Sequence, residues 1–180
     1  MTAGPQRSGS PSTRPELGGN PNRLSVAGDS AGGNLAAGVA LRARDEGLEL
    51  AHQLLIYPCI DDRQTRPSMT ENAEGYFLAA KDMAWFWGHF VPAEHRENPY
   101  AVPARASDLS GVAPAHVQTA EYDPLRDEGH EWAERLTAAG SVSTVTCFDG
   151  AVHGFIARWE QMSGALAAHD EFGTVFAPRL

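Results

Sequence analysis

Gly28-Asp29-Ser30-Ala31-Gly32 stands between a short apolar run, Arg23-Leu24-Ser25-Val26-Ala27, and residues 33–46, where Leu35, Val39 and Ala43 recur at helical spacing. The pattern predicts a strand that turns sharply into a helix, with a serine at the turn. Such a turn holds the serine in a strained backbone and presents its hydroxyl. Glycines on both flanks let the chain turn without a Cβ clash. The Ala31 amide then points to where a negative oxygen would develop beside that hydroxyl. Taken alone the five residues are weak evidence, because a Gly-rich turn that merely starts a helix has the same pattern. Ser30 needs partners.

A serine nucleophile requires an imidazole to take its proton and a carboxylate to orient that imidazole. Residues 115–122 read as a strand that Pro124 stops, which leaves Asp123 at its carboxyl end, where open α/β sheets place functional groups. Residues 142–148 read as the next strand, with Val142, Thr144, Thr146 and Phe148 alternating on one face, and the loop 149–152 delivers His153. Ser30, Asp123 and His153 are thus expected at one edge of one sheet. Each has rivals. Ser30 can be read as a turn serine. Asp123 competes with Glu121 on the same strand and with Asp127, which is placed to cap the following helix. His153 competes with six other histidines: His52 and His116 before apolar strand cores, His89 and His95 in a Pro-rich segment, and His130 and His169 on helices. Asp29 is expected to shape the turn and point away from the hydroxyl.

With Gly28-Asp29-Ser30-Ala31-Gly32-Gly33-Asn34, Tyr57-Pro58, Asp123-Pro124-Leu125-Arg126-Asp127-Glu128-Gly129 and His153-Gly154-Phe155, the chain resembles the hormone-sensitive-lipase-like carboxylesterases. The likeness runs from about Glu16 to the C-terminus. It implies an α/β fold, a truncated α/β-hydrolase with a mostly parallel sheet of about four strands, flanking helices and a cap insert. By residue, it implies Ser30 as nucleophile, Asp123 as acid, His153 as general base and Ala31 N–H as an oxyanion donor. The expected activity is hydrolysis of small or medium acyl esters. A serine peptidase, a ligand-binding member without catalysis, and an inactive fragment are the alternatives.

One departure from the family is clear. No His-Gly-Gly, the core of its upstream oxyanion loop, occurs in the chain, and only 29 residues precede Ser30. Among residues 1–22, 13 are Gly, Pro, Ser or Thr, a composition that reads as a disordered leader ahead of a partial domain over 23–180. Impaired turnover is therefore expected, together with self-association through the exposed edge of the 23–28 strand.

The 180 residues, 42% of them hydrophobic, suffice for one core. A net charge of -9 argues against nucleic acid and anionic membrane surfaces. With no apolar run of membrane-spanning length and no secretory h-region, cytoplasm is the default location. Cys59 and Cys147 fall about two strand spacings apart, roughly 10 Å, which is too far for a disulfide. Neither has a metal-type spacing, and no metal or other cofactor is implied.

Residues 61–109 break the strand-helix rhythm with four prolines and an aromatic group at Tyr76, Phe77, Trp85, Phe86, Trp87 and Phe90. In the resembled family an insert here forms part of a helical cap, and an apolar lid excludes water and binds an acyl chain. Residues 81–90 read as a helix. Trp85, Phe86 and Trp87 are the substrate-binding candidates, with at most one or two rings of this helix facing the pocket. The expected sheet has strands near 23–28, 53–59, 115–122 and 142–148, covered by helices at 31–46, 126–139 and from 156 onward.

Overall fold

Four short runs rich in apolar and β-branched residues build the sheet: β1 (Ser25–Asp29), β2 (His52–Ile56), β3 (Ala115–Tyr122) and β4 (Ser143–Val152). All neighbouring pairs are parallel, and the order across the sheet is the order along the chain. The computed structural model describes residues 20, 23–158 and 160–176. The leader expected over 1–22 thus lies, apart from Asn20, outside the described residues.

The inner parallel strands β2 and β3 are covered on both faces, so successive residues are buried, apolar ones for the most part with Gln53, His116, Gln118 and Thr119 among them. Leu55 and Val117 face helix α1 (Ala31–Asp45), which offers Ala36, Ala37, Ala40 and Leu41, and Trp132 and Leu136 join the same layer. Leu54, Ile56, Ala120 and Phe148 face the other way, onto Phe155, Ala165 and Ala168. The face of α1 that packs is an alanine face, while Leu35 and Val39 are only half-buried. Small side chains let the helix axis approach the strands. They also carry no strong hydropathy signal, so periodicity picked out the larger residues beside them.

The insert over 61–109 holds two helices, α2 (Pro67–Glu71) and α3 (Ala80–Phe90), and two single 3-10 turns, Ala93–His95 and Pro103–Arg105. Met69, Leu78, Met83, Trp87, Val91 and Val102 form its own apolar cluster, which reaches the sheet through Cys59 and Leu125. At its base the buried Asp61 carboxylate receives Arg63 (2.7 Å), Arg105 (3.4 Å) and Arg66.

The last two helices are α4 (Arg126–Ala138) and α5 (Ser163–Phe176). Strand β4 runs four residues past the expected end. An irregularity between Ala120 and Tyr122 lets Tyr122 pair with Val152, and Gly150 N–H donates to the Glu121 carboxylate at 2.7 Å. His153 therefore follows the strand directly. A 3-10 turn, Phe155–Ala157, precedes α5, which starts at Ser163 rather than near 156.

Candidate active site

The β1–α1 turn puts Ser30 at φ 52° and ψ -116°, a conformation that costs a residue with a Cβ and persists only when its surroundings enforce it. They do so on both sides of the peptide. Ser30 N–H donates to the Ile56 carbonyl (2.8 Å), and the Ser30 carbonyl accepts from Asn34 N–H (3.1 Å) and Cys59 N–H (3.2 Å). Close packing completes the turn: a Cβ at Gly28 would lie 2.2 Å from the Gly32 carbonyl oxygen, and one at Gly33 would lie 2.8 Å from Pro58 Cβ. At Gly32, by contrast, a Cβ would meet nothing nearer than 3.6 Å. The indispensable glycines are Gly28 and Gly33.

The turn faces His153, whose Nε2 lies 2.8 Å from Ser30 Oγ, while its Nδ1 lies 2.7 Å from Asp123 Oδ2. A carboxylate at Nδ1 selects the tautomer with the proton on Nδ1, which leaves Nε2 to accept from the hydroxyl. Asp123 is 0% exposed, and its second oxygen accepts from Leu125 N–H at 2.9 Å. The Tyr57 ring, 4.6 Å from the imidazole centroid, braces the histidine. The arrangement can pass a proton from Ser30 to His153 with Asp123 compensating the charge.

Four of the rivals are engaged elsewhere. Glu121 is held by Gly150. Asp127 accepts from Ser68 N–H (2.8 Å) and Arg126 (2.8 Å), so it pins α2 to α4 rather than capping α4. His116 sits 2.8 Å from both Thr144 and Glu171, and His130 is 2.8 Å from Thr119 with burial lowering its basicity. Asp29 points away from Ser30 and receives the Tyr57 hydroxyl at 3.5 Å.

Ser30, Ala31, Asn34, Cys59 and His153 open onto a cavity of about 520 Å³ whose other wall is Phe77, Leu78, Met83, Phe86, Trp87, His89 and Phe90. Phe86 and Trp87 thus line this cavity. Trp85 does not: it is 59% exposed, outside the cavity lining, and packed against His89 with ring centroids 4.1 Å apart and planes tilted by 32°. Three Phe and Trp rings of α3 line the cavity instead of one or two, because the helix runs along the wall and presents positions 86, 87 and 90 together. Phe77 and Phe90 belonged to the aromatic group in the sequence but carried no mark of their orientation.

A second hollow of about 610 Å³ between the end of α1 and the loops at Gly111 and Ser141 contains none of these groups. Among the described residues no cluster of three metal-ligating side chains occurs, and no helix is long and apolar enough to cross a membrane.

Residues 8–157 match the family model of the α/β-hydrolase fold. The chain belongs to this family. It is 44% identical over 146 residues to carboxylesterase NlhH of Mycobacterium tuberculosis, covering 78% of this chain and 46% of that protein. Among solved structures it superposes on an esterase of Pyrobaculum calidifontis with TM-score 0.89 at 36% identity, over 95% of this chain and 57% of that one. The carboxylesterase EstE1, cloned from a metagenomic library, gives TM-score 0.88 at 38% identity, over 93% and 58%. The chain therefore spans about half the length of the relatives it matches. The resemblance to hormone-sensitive-lipase-like esterases and the parallel four-strand α/β sheet both hold.

Proposed function

We propose that the chain is a serine carboxylic-ester hydrolase for small or medium acyl esters. The observation that carries this reading is the hydrogen-bonded line from Asp123 through His153 to Ser30, opening onto an apolar cavity. Ser30 Oγ attacks the ester carbonyl carbon as its proton passes to His153 Nε2. The carbonyl oxygen becomes an oxyanion, which accepts from Ala31 N–H at the start of α1. Collapse breaks the bond to the alcohol oxygen, which takes the proton from Nε2. Water then repeats the sequence on the acyl-enzyme. Asp123 keeps its negative charge and stabilises the imidazolium. Phe86 and Trp87 border the space for the acyl chain.

Ala31 N–H is the oxyanion donor that the proposal names among the described residues, and loss of one such donor typically costs about 10²–10³ in turnover. Slow turnover by this chain alone is part of the proposal. So is association through β1, whose outer edge carries no strand among the described residues. Light scattering that gives a stable monomer would remove that element.

A fluorophosphonate probe tests the central claim. The chain should be labelled, Ser30→Ala should not, and His153→Ala should be labelled very slowly. Labelling that survives Ser30→Ala overturns the assignment. Ester binding without labelling would favour a binding protein that has the pocket but no chemistry.

A further inference from the structure

The loop over 57–61 touches the nucleophile at several points. Cys59 N–H donates to the Ser30 carbonyl at 3.2 Å, the Cys59 carbonyl accepts from Asn34 Nδ2 at 2.9 Å, and Cys59 Sγ lies 3.9 Å from Ser30 Oγ. Pro58 closes on Gly33 beneath the turn. The next two amides of this loop leave the sheet ladder altogether. Ile60 N–H donates to Glu128 Oε1 at 2.6 Å, and Asp61 N–H approaches the same oxygen at 3.4 Å.

Glu128 is 3% exposed and makes no ion pair among the described residues. A carboxyl group in that position is costly to bury, and is retained at little advantage to stability alone. It stands in the first turn of α4, three residues after Leu125, whose N–H holds Asp123. One helical turn therefore grips both halves of the site. Asp123 is fixed on one side, and the loop that carries Cys59 on the other.

We propose that Glu128 is a positioning residue for the nucleophile: by accepting from Ile60 N–H it locks the 57–61 loop, and through Cys59 N–H it locks the strained backbone of Ser30 against His153. Glu128 is not among the residues lining the cavity, and its hydrogen-bond partners among the described residues are the Ile60 and Asp61 amides, so it acts through the loop. The strained Ser30 conformation lasts only while its neighbours hold it. Without that hold the backbone relaxes, and Ser30 Oγ leaves the 2.8 Å contact with His153. The inference rests on the hydrolase reading above.

The test compares Glu128→Gln, which keeps an acceptor oxygen, with Glu128→Met, which keeps the volume and removes it. Ester hydrolysis and fluorophosphonate labelling are measured together with amide hydrogen exchange at Cys59 and Ile60. Glu128→Gln should stay within about threefold of wild type, while Glu128→Met should lose about 10² in kcat and labelling rate at nearly unchanged KM. Protection of the Ile60 and Cys59 amides should fall about tenfold or more in the Met variant and return in the Gln variant. Equal kcat in both variants, a loss confined to KM, or unchanged protection would overturn the proposal. If the wild-type chain is not labelled, the hydrolase reading falls, and exchange at Ile60 still decides whether Glu128 holds the loop. Should the Met variant not fold, Glu128→Ala measured against Glu128→Gln by the same exchange supplies the decision.

Discussion

A methyl group placed at Gly28 would sit 2.2 Å from the Gly32 carbonyl oxygen, whereas one placed at Gly88 in α3 would meet nothing within 4 Å. Gly28 leads into the β1–α1 turn and Gly88 lies in α3, and residues of that turn and that helix line the same cavity. On the β1–α1 side, the hydroxyl is aimed by backbone packed against backbone, with glycines where no side chain fits. On the α3 side, rings are held by a few buried anchors such as Met83 and Trp87, while Phe86 and Phe90 are half-exposed. The proposed chemistry is thus placed where substitution is least tolerated, and the surface proposed to meet an acyl chain where it is most tolerated. One wall is held by backbone packing and hydrogen bonds, the other is adjustable by side-chain choice.

The sharpest break in that contrast would come from the acid. Asp123→Asn should lower ester turnover on the order of 10⁴ by stabilising the wrong imidazole tautomer. Asp127→Asn should leave the rate near wild type, and the opposite ranking would move the acid. Next in size is Gly28→Ala, which forces a Cβ into backbone and should cost about 3 kcal/mol or more in denaturant unfolding. A wild-type midpoint would show that the turn is looser than its contacts.

Glu128 offers a pH-dependent test of the rigid wall. Burial, with the nearby Asp61 and Asp123 carboxylates, pushes its carboxyl up to about 8 despite the Ile60 and Asp61 amides. The folded chain therefore holds this proton more tightly than the unfolded chain does. The resulting stability is fully present below the ordinary glutamate range and is lost as pH rises through about 8. Glu128→Gln has no proton to lose, so its stability relative to wild type should climb by a few kcal/mol between about pH 5 and 9. A flat difference would mean that Glu128 ionises normally.

On the adjustable wall the effects are smaller. Phe86→Ala should change the preference for hexanoate over acetate esters by about tenfold, a pocket effect of 1–3 kcal/mol, while Trp85→Ala should leave it unchanged. Equal losses on both esters with a lower melting temperature would reduce Phe86 to packing. Smallest of all, Gly88→Ala should stabilise the fold by about 0.5–1 kcal/mol, because an exposed helical glycine is replaced where a methyl group fits. Destabilisation there would show that α3 is as tightly fitted as the turn.

The difference between the walls also explains what was readable in the residues. The Ser30 turn and the four strands were visible because turn glycines, strand length and Pro124 act locally. The end of β4 was not, since its extension depends on Glu121 catching the Gly150 amide across two strands. The rings of α3 were visible as a group, yet their sorting depends on which side of the helix docks. That is settled by Met83 and Trp87 meeting distant residues such as Leu125 and Val102. Glu128 lay in full view inside the Asp123–Gly129 motif. Its hold on Ile60 joins positions 68 residues apart, and no periodicity encodes that.

Because sheet order repeats chain order, a nascent chain adds each new strand to an edge that already exists. Ser30 arrives with the first strand, Asp123 after the third, and His153 only once the fourth has been laid down. Ser30 therefore has no His153 beside it until β4 joins the sheet. A ribosome-bound chain ending at residue 142 would carry Ser30 and Asp123 but not His153, and should not be labelled by the probe. The onset of probe labelling would then serve as a clock for completion of the sheet.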